Sequence, residues 1–179
     1  MPKSFVIWLT GLPSSGKTTL AQNLAATLKA AGAPVEVLDG DEVRRTISAD
    51  LGFSAKDRRE HAIRVVYLSK MLIRNGINVI VPIISPYRET RAYARQELEN
   101  FVEVYVDCPQ EECIRRDVKG LYAKALSGEI KEFTGISDPY EPPDSPEITV
   151  HTHLSSVGEC CSQILNLVSD RLPIGIDLT

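Results

Sequence analysis

The chain has 179 residues, 43% of them hydrophobic, with 20 Lys and Arg against 24 Asp and Glu, for a formal net charge of −4. That length suits one compact domain spanning residues 1–179, with enough chain to bury a full α/β core. The acidic balance argues against a general nucleic-acid or membrane-surface role, and no apolar run approaches the ~18 residues of a membrane span. The N-terminus lacks a charged stretch followed by a long apolar region, so the expected location is the cytoplasm. Cys108, Cys113, Cys160 and Cys161 form no C-x-x-C pair, and reduced, partly buried thiols are expected.

Residues 5–9 form an apolar run and read as a first strand. Residues 11–18 follow as Gly-Leu-Pro-Ser-Ser-Gly-Lys-Thr and fit G-x-x-x-x-G-K-[ST] at every fixed position. A strand delivers such a loop, its glycines let the backbone wrap an anion, and the next helix aims its N-terminal N–H groups at phosphate. In this geometry Lys17 reaches the outer phosphates of a nucleoside triphosphate and the Thr18 hydroxyl meets Mg²⁺. Leu20, Leu24 and Leu28 then recur every four residues on one helix face, which Gly32 and Pro34 end.

A short strand at 35–38 runs into Asp39-Gly40-Asp41, and a helical pattern covers about 42–47. Ser54 with Asp57 resembles a capping box for a helix that buries Ala62, Val65, Val66, Ser69, Leu72 and Ile73. Residues 78–85 are almost wholly apolar, as a central parallel strand should be, although Pro82 removes a ladder donor and predicts a local bulge. Pro86 suits the first position of a helix capped by Ser85. A strand at 102–107, a short helix at 111–117, a last strand at 148–151 and a helix capped by Ser156 and Glu159 complete the pattern. That last helix is expected to turn Val157, Cys160, Ile164, Leu167 and Val168 inward. Residues 119–146 lack a clean period and are too long for a plain connection, so a lid is expected at about 119–138.

The repeat of strand and helix predicts a three-layer α/β sandwich around a parallel sheet, with ligands at the carboxyl ends of the strands. Phosphoryl transfer needs an acceptor hydroxyl in line with the γ-phosphate and a carboxylate to take its proton or hold a metal water. The third strand offers no acid at its tip, which leaves Asp39 and Asp41; a helix cap is the competing role for each. Arg44 and Arg58 flank Phe53, a set suited to a base carrying anions. Arg115, Arg116, Lys119 and Lys124 stand where a closing lid could bring a cation onto a triphosphate.

Several segments together resemble adenylylsulfate kinases, from about residue 5 to residue 167. They are Leu38 to Arg44, Leu51-Gly52-Phe53-Ser54, Asp57-Arg58, Ile84-Ser85-Pro86-Tyr87-Arg88, Lys119-Gly120-Leu121-Tyr122 and Gly128 to Gly135, in that order. The resemblance implies a P-loop kinase that uses ATP and Mg²⁺ to phosphorylate the 3′-hydroxyl of adenosine 5′-phosphosulfate, a step of sulfate assimilation, and it implies a homodimer. By the same resemblance Gly11, Leu12, Pro13, Ser14, Ser15, Gly16, Lys17, Thr18, Thr19 and Arg116 bind the nucleotide. Phe53 and Phe133 are implied on the two faces of the substrate adenine, Arg44 and Arg58 at the phosphosulfate, and Asp39, His61, Ile84, Ser85, Lys119 and Leu121 as further contacts. Asp41, Lys17 and Ser85 are implied as catalytic, with Thr18 and, through water, Asp41 on the metal.

The chain departs from the family pattern in three places. Pro13 and Ser14 fall at variable places in the phosphate loop, His61 stands where Asn is usual, and Pro82 replaces a small or apolar residue. Histidine can still donate to an adenine or ribose edge, although a helix-surface histidine is the alternative. Ser85 has the helix cap as its alternative, and direct in-line transfer needs no covalent relay through it. The rival assignments are another small-molecule P-loop kinase, acting on a nucleotide or a sugar acid, and a guanine-nucleotide switch. The switch would need an Asn/Thr-Lys-x-Asp motif, which the sequence does not contain.

Overall fold

In the computed structural model, which describes residues 4–171, five parallel strands lie in the order β2-β3-β1-β4-β5. They are β1 (Val6–Thr10), β2 (Val35–Val37), β3 (Asn78–Pro82), β4 (Phe101–Asp107) and β5 (Ile148–His151). The helices are α1 (Lys17–Ala30), α2 (Gly40–Arg45), α3 (Ala55–Arg74), α4 (Arg88–Glu97), α5 (Gln110–Arg116), α6 (Leu121–Leu126) and α7 (Val157–Val168). The expected α/β sandwich with a parallel sheet is therefore the fold; residues 1–3 and 172–179 of the expected 1–179 domain lie outside the described residues.

Period-two alternation on β1 explains the three layers. Ile7 and Leu9 face one way and pack on Leu20, Leu24 and Leu28 of α1 and Ile164 of α7. Val6 and Trp8 face the other way, into Val65 and Val66 of α3 and Leu98 and Phe101 at the end of α4 and start of β4. Both faces are covered, so the strand is fully buried and is apolar up to Thr10, its last residue. β3 lies on one side of β1 and β4 on the other, so the strand order reverses at β1. The crevice of such a reversal opens at the carboxyl end of β1, where the phosphate loop begins.

Some expectations need correction. Pro82 causes no bulge: it stays in register with Leu9 as the last residue of β3. The backbone N–H groups of Val79 and Ile83 point to β1, whereas that of Asn78 points to the β2 side. By the same alternation the missing donor of Pro82 faces the β2 side, where β2 has already ended at Val37. Ser85 does not cap α4, which starts later, behind Tyr87. On α7, Val157 and Leu167 are partly exposed, and Cys161 and Leu165 take the inward places. The Ser156–Glu159 capping box forms as expected, and all four cysteines are buried and free. Residues 119–138 contain a short helix, α6, and a small core of their own in which Tyr122, Ala125 and Phe133 pack with Cys108 and Cys113.

Candidate active site

The phosphate loop is shaped by close approach and by unusual backbone angles. A Cβ on Gly11 would lie 2.5 Å from the Val106 carbonyl oxygen and 2.9 Å from Ser15 Oγ, so only glycine lets β1 hand over to the loop beside β4. Gly16 holds φ +101° at the N-terminus of α1, and Ser14 also has positive φ. No side chain caps α1, so its first N–H groups remain open to an anion. Lys17 is buried and donates to the carbonyls of Gly11 (2.9 Å) and Leu12 (2.6 Å) and to Ser15 Oγ (3.3 Å). Burial pushes its amine down to about 7, with Lys119 pushing the same way. Thr18 and Thr19 are exposed on the first turn of α1.

Side chains from distant parts of the chain brace this loop. Thr152, just past β5, donates to the Ser15 carbonyl (2.7 Å) and accepts from Arg116 Nη1 (3.3 Å), while Arg116 Nη2 meets the Thr152 carbonyl (3.0 Å). Arg116 is thus brought to the loop, from the last turn of α5 rather than from the 119–138 segment. Tyr122 donates to the Pro13 carbonyl (3.0 Å). Sequence reasoning missed Thr152, and it noted Tyr122 only as the end of a motif.

The second half of the site surrounds the tips of β2 and β3. A Cβ on Gly40 would meet Ile83 Cγ2 at 2.7 Å, so this glycine lets α2 start against the end of β3. Asp39 caps α2, its Oδ1 accepting from the N–H groups of Asp41 (2.9 Å) and Glu42 (3.2 Å). Asp41 is exposed and ion-paired with Lys119. Arg44 lies over the Phe53 ring, 4.7 Å from its centroid, and donates to the Gly52 carbonyl at 2.8 Å. Burial and the neighbouring Arg58 lower the Arg44 pKa. Arg58 bonds the Phe53 carbonyl (2.7 Å), Thr134 Oγ1 and the Glu132 carbonyl, and so joins the Phe53 loop to the 132–134 stretch.

The two aromatics differ. Phe53 is 62% exposed, whereas Phe133 is 8% exposed with its ring edge-on to Tyr122, centroids 5.0 Å apart. Tyr122 and its neighbours thus already cover much of the Phe133 ring. His61 is no surface residue either. It is buried, its Nδ1 is 3.2 Å from Ser48 Oγ, and burial, with Arg44 and Arg64 nearby, pushes its pKa down to about 4. Ile84 and Ser85 follow β3, and the Ile84 carbonyl accepts from Thr10 Oγ1 at 2.7 Å. Leu121 opens α6 and packs on the small core around Tyr122.

The donors suit a hard cation shared with a triphosphate. Among the described residues no three His, Cys, Asp or Glu side chains converge, as an all-protein cage would require. Mg²⁺ instead keeps waters and takes one or two protein oxygens beside phosphate oxygens, a role open to the exposed Thr18 hydroxyl and Asp41 carboxylate. The arrangement can hold a triphosphate against β1 and α1, and present a second anionic molecule near the tips of β2 and β3.

Comparison with known proteins agrees with this geometry. The family model described as adenylylsulphate kinase matches residues 3–151. The adenylyl-sulfate kinase of Synechococcus sp. (strain JA-3-3Ab) is 51% identical over 163 residues, 91% of this chain and 93% of that protein. A probable adenylyl-sulfate kinase of Pseudomonas aeruginosa is 51% identical over 161 residues, 90% of this chain and 75% of that protein. Among solved structures, the Mycobacterium tuberculosis APS kinase CysC in complex with AMPPNP and APS superposes with a TM-score of 0.91 at 40% identity, covering 94% of this chain and 99% of that one. A phosphate loop, an acidic turn and an arginine–aromatic pair thus stand on a scaffold that matches those proteins over nine-tenths or more of this chain, and the chain belongs to the adenylylsulphate kinase family.

Proposed function

We propose that this chain transfers the γ-phosphate of ATP to the 3′-hydroxyl of adenosine 5′-phosphosulfate, yielding 3′-phosphoadenosine 5′-phosphosulfate. The observation that carries this reading is the pairing, across the carboxyl ends of one sheet, of the phosphate loop with Arg44 stacked on an exposed Phe53 and with Asp41 beside Lys119. Residues 11–19 and Arg116 hold the nucleotide. Its phosphates take over the Lys17 ammonium from the Gly11 and Leu12 carbonyls. Thr18 and, through water, Asp41 would hold Mg²⁺, which would supply neutralisation of charge on the transferred phosphate.

Phe53 stacks the acceptor's adenine, and Arg44 and Arg58 bind its phosphosulfate. Ile84, Ser85, Lys119, Leu121, His61 and the Asp39 turn complete the pocket. His61 stays neutral near pH 7 because burial disfavours its charged form, so it serves as a fixed donor or acceptor. Asp41 orients the 3′-hydroxyl and takes its proton as the new P–O bond forms and the bond from the γ-phosphorus to the β,γ-bridging oxygen breaks, with ADP as the leaving group. Transfer is direct, with Ser85 as a contact rather than a carrier. Phe133 shapes the pocket from the base of a lid at 119–138 that closes over both ligands and excludes water.

The enzyme acts in the cytoplasm as a homodimer in this reading. No helix of the described residues is long and apolar enough to cross a membrane. Ile63, Tyr67 and Met71 on α3, with Tyr93 on α4, form an exposed apolar surface that a second copy would cover. The deciding assay supplies ATP with adenylylsulfate, AMP or shikimate and scores phosphorylated product. Adenylylsulfate should turn over far faster than the other two, and comparable turnover of AMP would reject the assignment in favour of a broader nucleotide kinase.

A further inference from the structure

Ser85 holds a conformation that a serine resists. Its φ is +47°, in the left-handed region, and its hydroxyl is buried with no hydrogen-bond partner among the described residues. Such strain persists only where surrounding contacts over-determine it. Here the contacts converge on backbone oxygens. Arg91, on α4 and 2% exposed, donates Nη1 to the Ser85 carbonyl at 2.5 Å. Its Nη2 donates to the Glu141 carbonyl at 2.5 Å, and its Nε to Glu103 Oε1 at 2.9 Å. Thr10 Oγ1 reaches the adjacent Ile84 carbonyl at 2.7 Å and lies 2.9 Å from the Tyr140 hydroxyl. The guanidinium also stands 5.8 Å from the centroid of the Tyr140 ring.

A buried Arg–Glu pair such as Arg91–Glu103 is weak evidence for stability, because desolvation offsets the Coulomb attraction. Its geometry is more informative. A planar guanidinium fixed at Nε by a carboxylate leaves its two terminal nitrogens pointing in set directions. One holds the turn beyond β3, and the other holds the chain returning from the 119–138 segment. We propose that Arg91 is a positioning residue of the acceptor site: anchored on Glu103, it keeps Ser85 in its left-handed conformation and ties that turn to residues 140–141. Arg91 itself touches no reacting atom. The proposal rests on the reading of Ile84 and Ser85 as acceptor contacts.

Lysine separates this role from mere charge. Arg91→Lys keeps a cation beside Glu103, but one ammonium cannot reproduce three in-plane bonds. A buried carbonyl left without its donor is costly, so the KM for adenylylsulfate should rise ~10-fold or more, while the KM for MgATP stays within about twofold. Equal rises in both constants, or no change in either, would overturn the proposal. If Arg91→Lys fails to fold, Thr10→Val, which removes the hydroxyl on the Ile84 carbonyl at similar volume, should shift the adenylylsulfate constant alone, by about threefold. An unchanged constant there would equally count against the idea. Should the parent protein not phosphorylate adenylylsulfate at all, the acceptor assignment fails separately. Arg91 is then judged by the Ser85 φ in crystal structures of the parent and the lysine variant: departure from the left-handed region supports its positioning role, and an unchanged φ refutes it.

Discussion

The proposed nucleotide and acceptor sides of this site are built by different means. The phosphate loop is one uninterrupted stretch between β1 and α1, and its lysine, hydroxyls and glycines all fall within residues 11–19. The acceptor side draws on α2, the Phe53 loop, α3, the turn beyond β3 and the 119–138 segment. Long-range bonds such as Arg58 to Thr134 and Lys119 to Asp41 assemble it. A local site can be read as a motif; an assembled site can be disturbed from many places. Substitutions on the first side should therefore remove chemistry outright, and those on the second should separate binding, rate and stability.

The largest effect is expected from Lys17→Ala, which removes the charge at the β- and γ-phosphates. Turnover should fall to the background of the assay, at least ~10²-fold, the scale of losing one preorganised charge contact. Measurable activity near the parent level would contradict the phosphate-loop assignment. Asp41→Ala probes the assembled side. It should cut the rate by ~10² while leaving ATP affinity largely intact, as expected for loss of a general base. A near-normal rate would reduce Asp41 to a residue in the first turn of α2.

Phe53 and Phe133 sharpen the comparison further. Phe53 is mostly exposed, so Phe53→Ala should spare folding and weaken adenylylsulfate binding by about ten- to a hundredfold, the equivalent of ~1–3 kcal/mol of base stacking. Phe133 is buried against Tyr122, so Phe133→Ala should lower stability by ~3 kcal/mol and weaken both ligands, because the 119–138 segment loses its core. Paired thermal melts and titrations separate the two patterns. A loss confined to adenylylsulfate in a stable Phe133→Ala variant would put the ring back on the adenine face.

Ser85→Ala should cost less. Direct transfer needs no serine carrier, so at least a tenth of the activity should remain, a loss below ~1.4 kcal/mol. A phosphoserine that forms and discharges at the turnover rate would refute this. The smallest effect concerns protons. Burial holds Lys17 near 7, and bound phosphates favour its charged form, so ATP binding should take up a proton above about pH 7 and weaken as pH rises. Calorimetry in buffers of different ionisation enthalpy reads that uptake directly. Both Lys17, at about 7, and His61, at about 4, lie below their ordinary values. The unfolded chain then binds more protons, so their contributions make stability rise with pH, for His61 between about 4 and 6.5 and for Lys17 between about 7 and 10.5.

The strands, the phosphate loop and most helix limits were legible because short-range rules govern them. β1 declares itself by an apolar run, α1 by leucines every four residues, and α7 by its capping box. Pro82 misled because its tolerance depends on where a neighbouring strand stops, a fact about β2 and not about β3. Ser85 misled because a serine before a proline resembles a cap, while its backbone obeys Arg91 and Thr10. Arg91 itself reads as one more charge on a polar helix, since nothing local marks an arginine that will be buried beside Glu103.

By itself, then, the order of residues determined the parallel α/β scaffold and a triphosphate loop at the end of β1, because hydrogen-bonding period, glycine geometry and helix caps act over a few neighbours. The resemblance in its scattered motifs pointed to the acceptor as well. Only the tertiary structure decided which cations are already engaged, that Phe133 is packed while Phe53 is open, and that Ser85 is held in a left-handed turn. Those outcomes depend on burial and on bonds between segments far apart in the chain, and neither quantity exists until the sheet has closed its two cores.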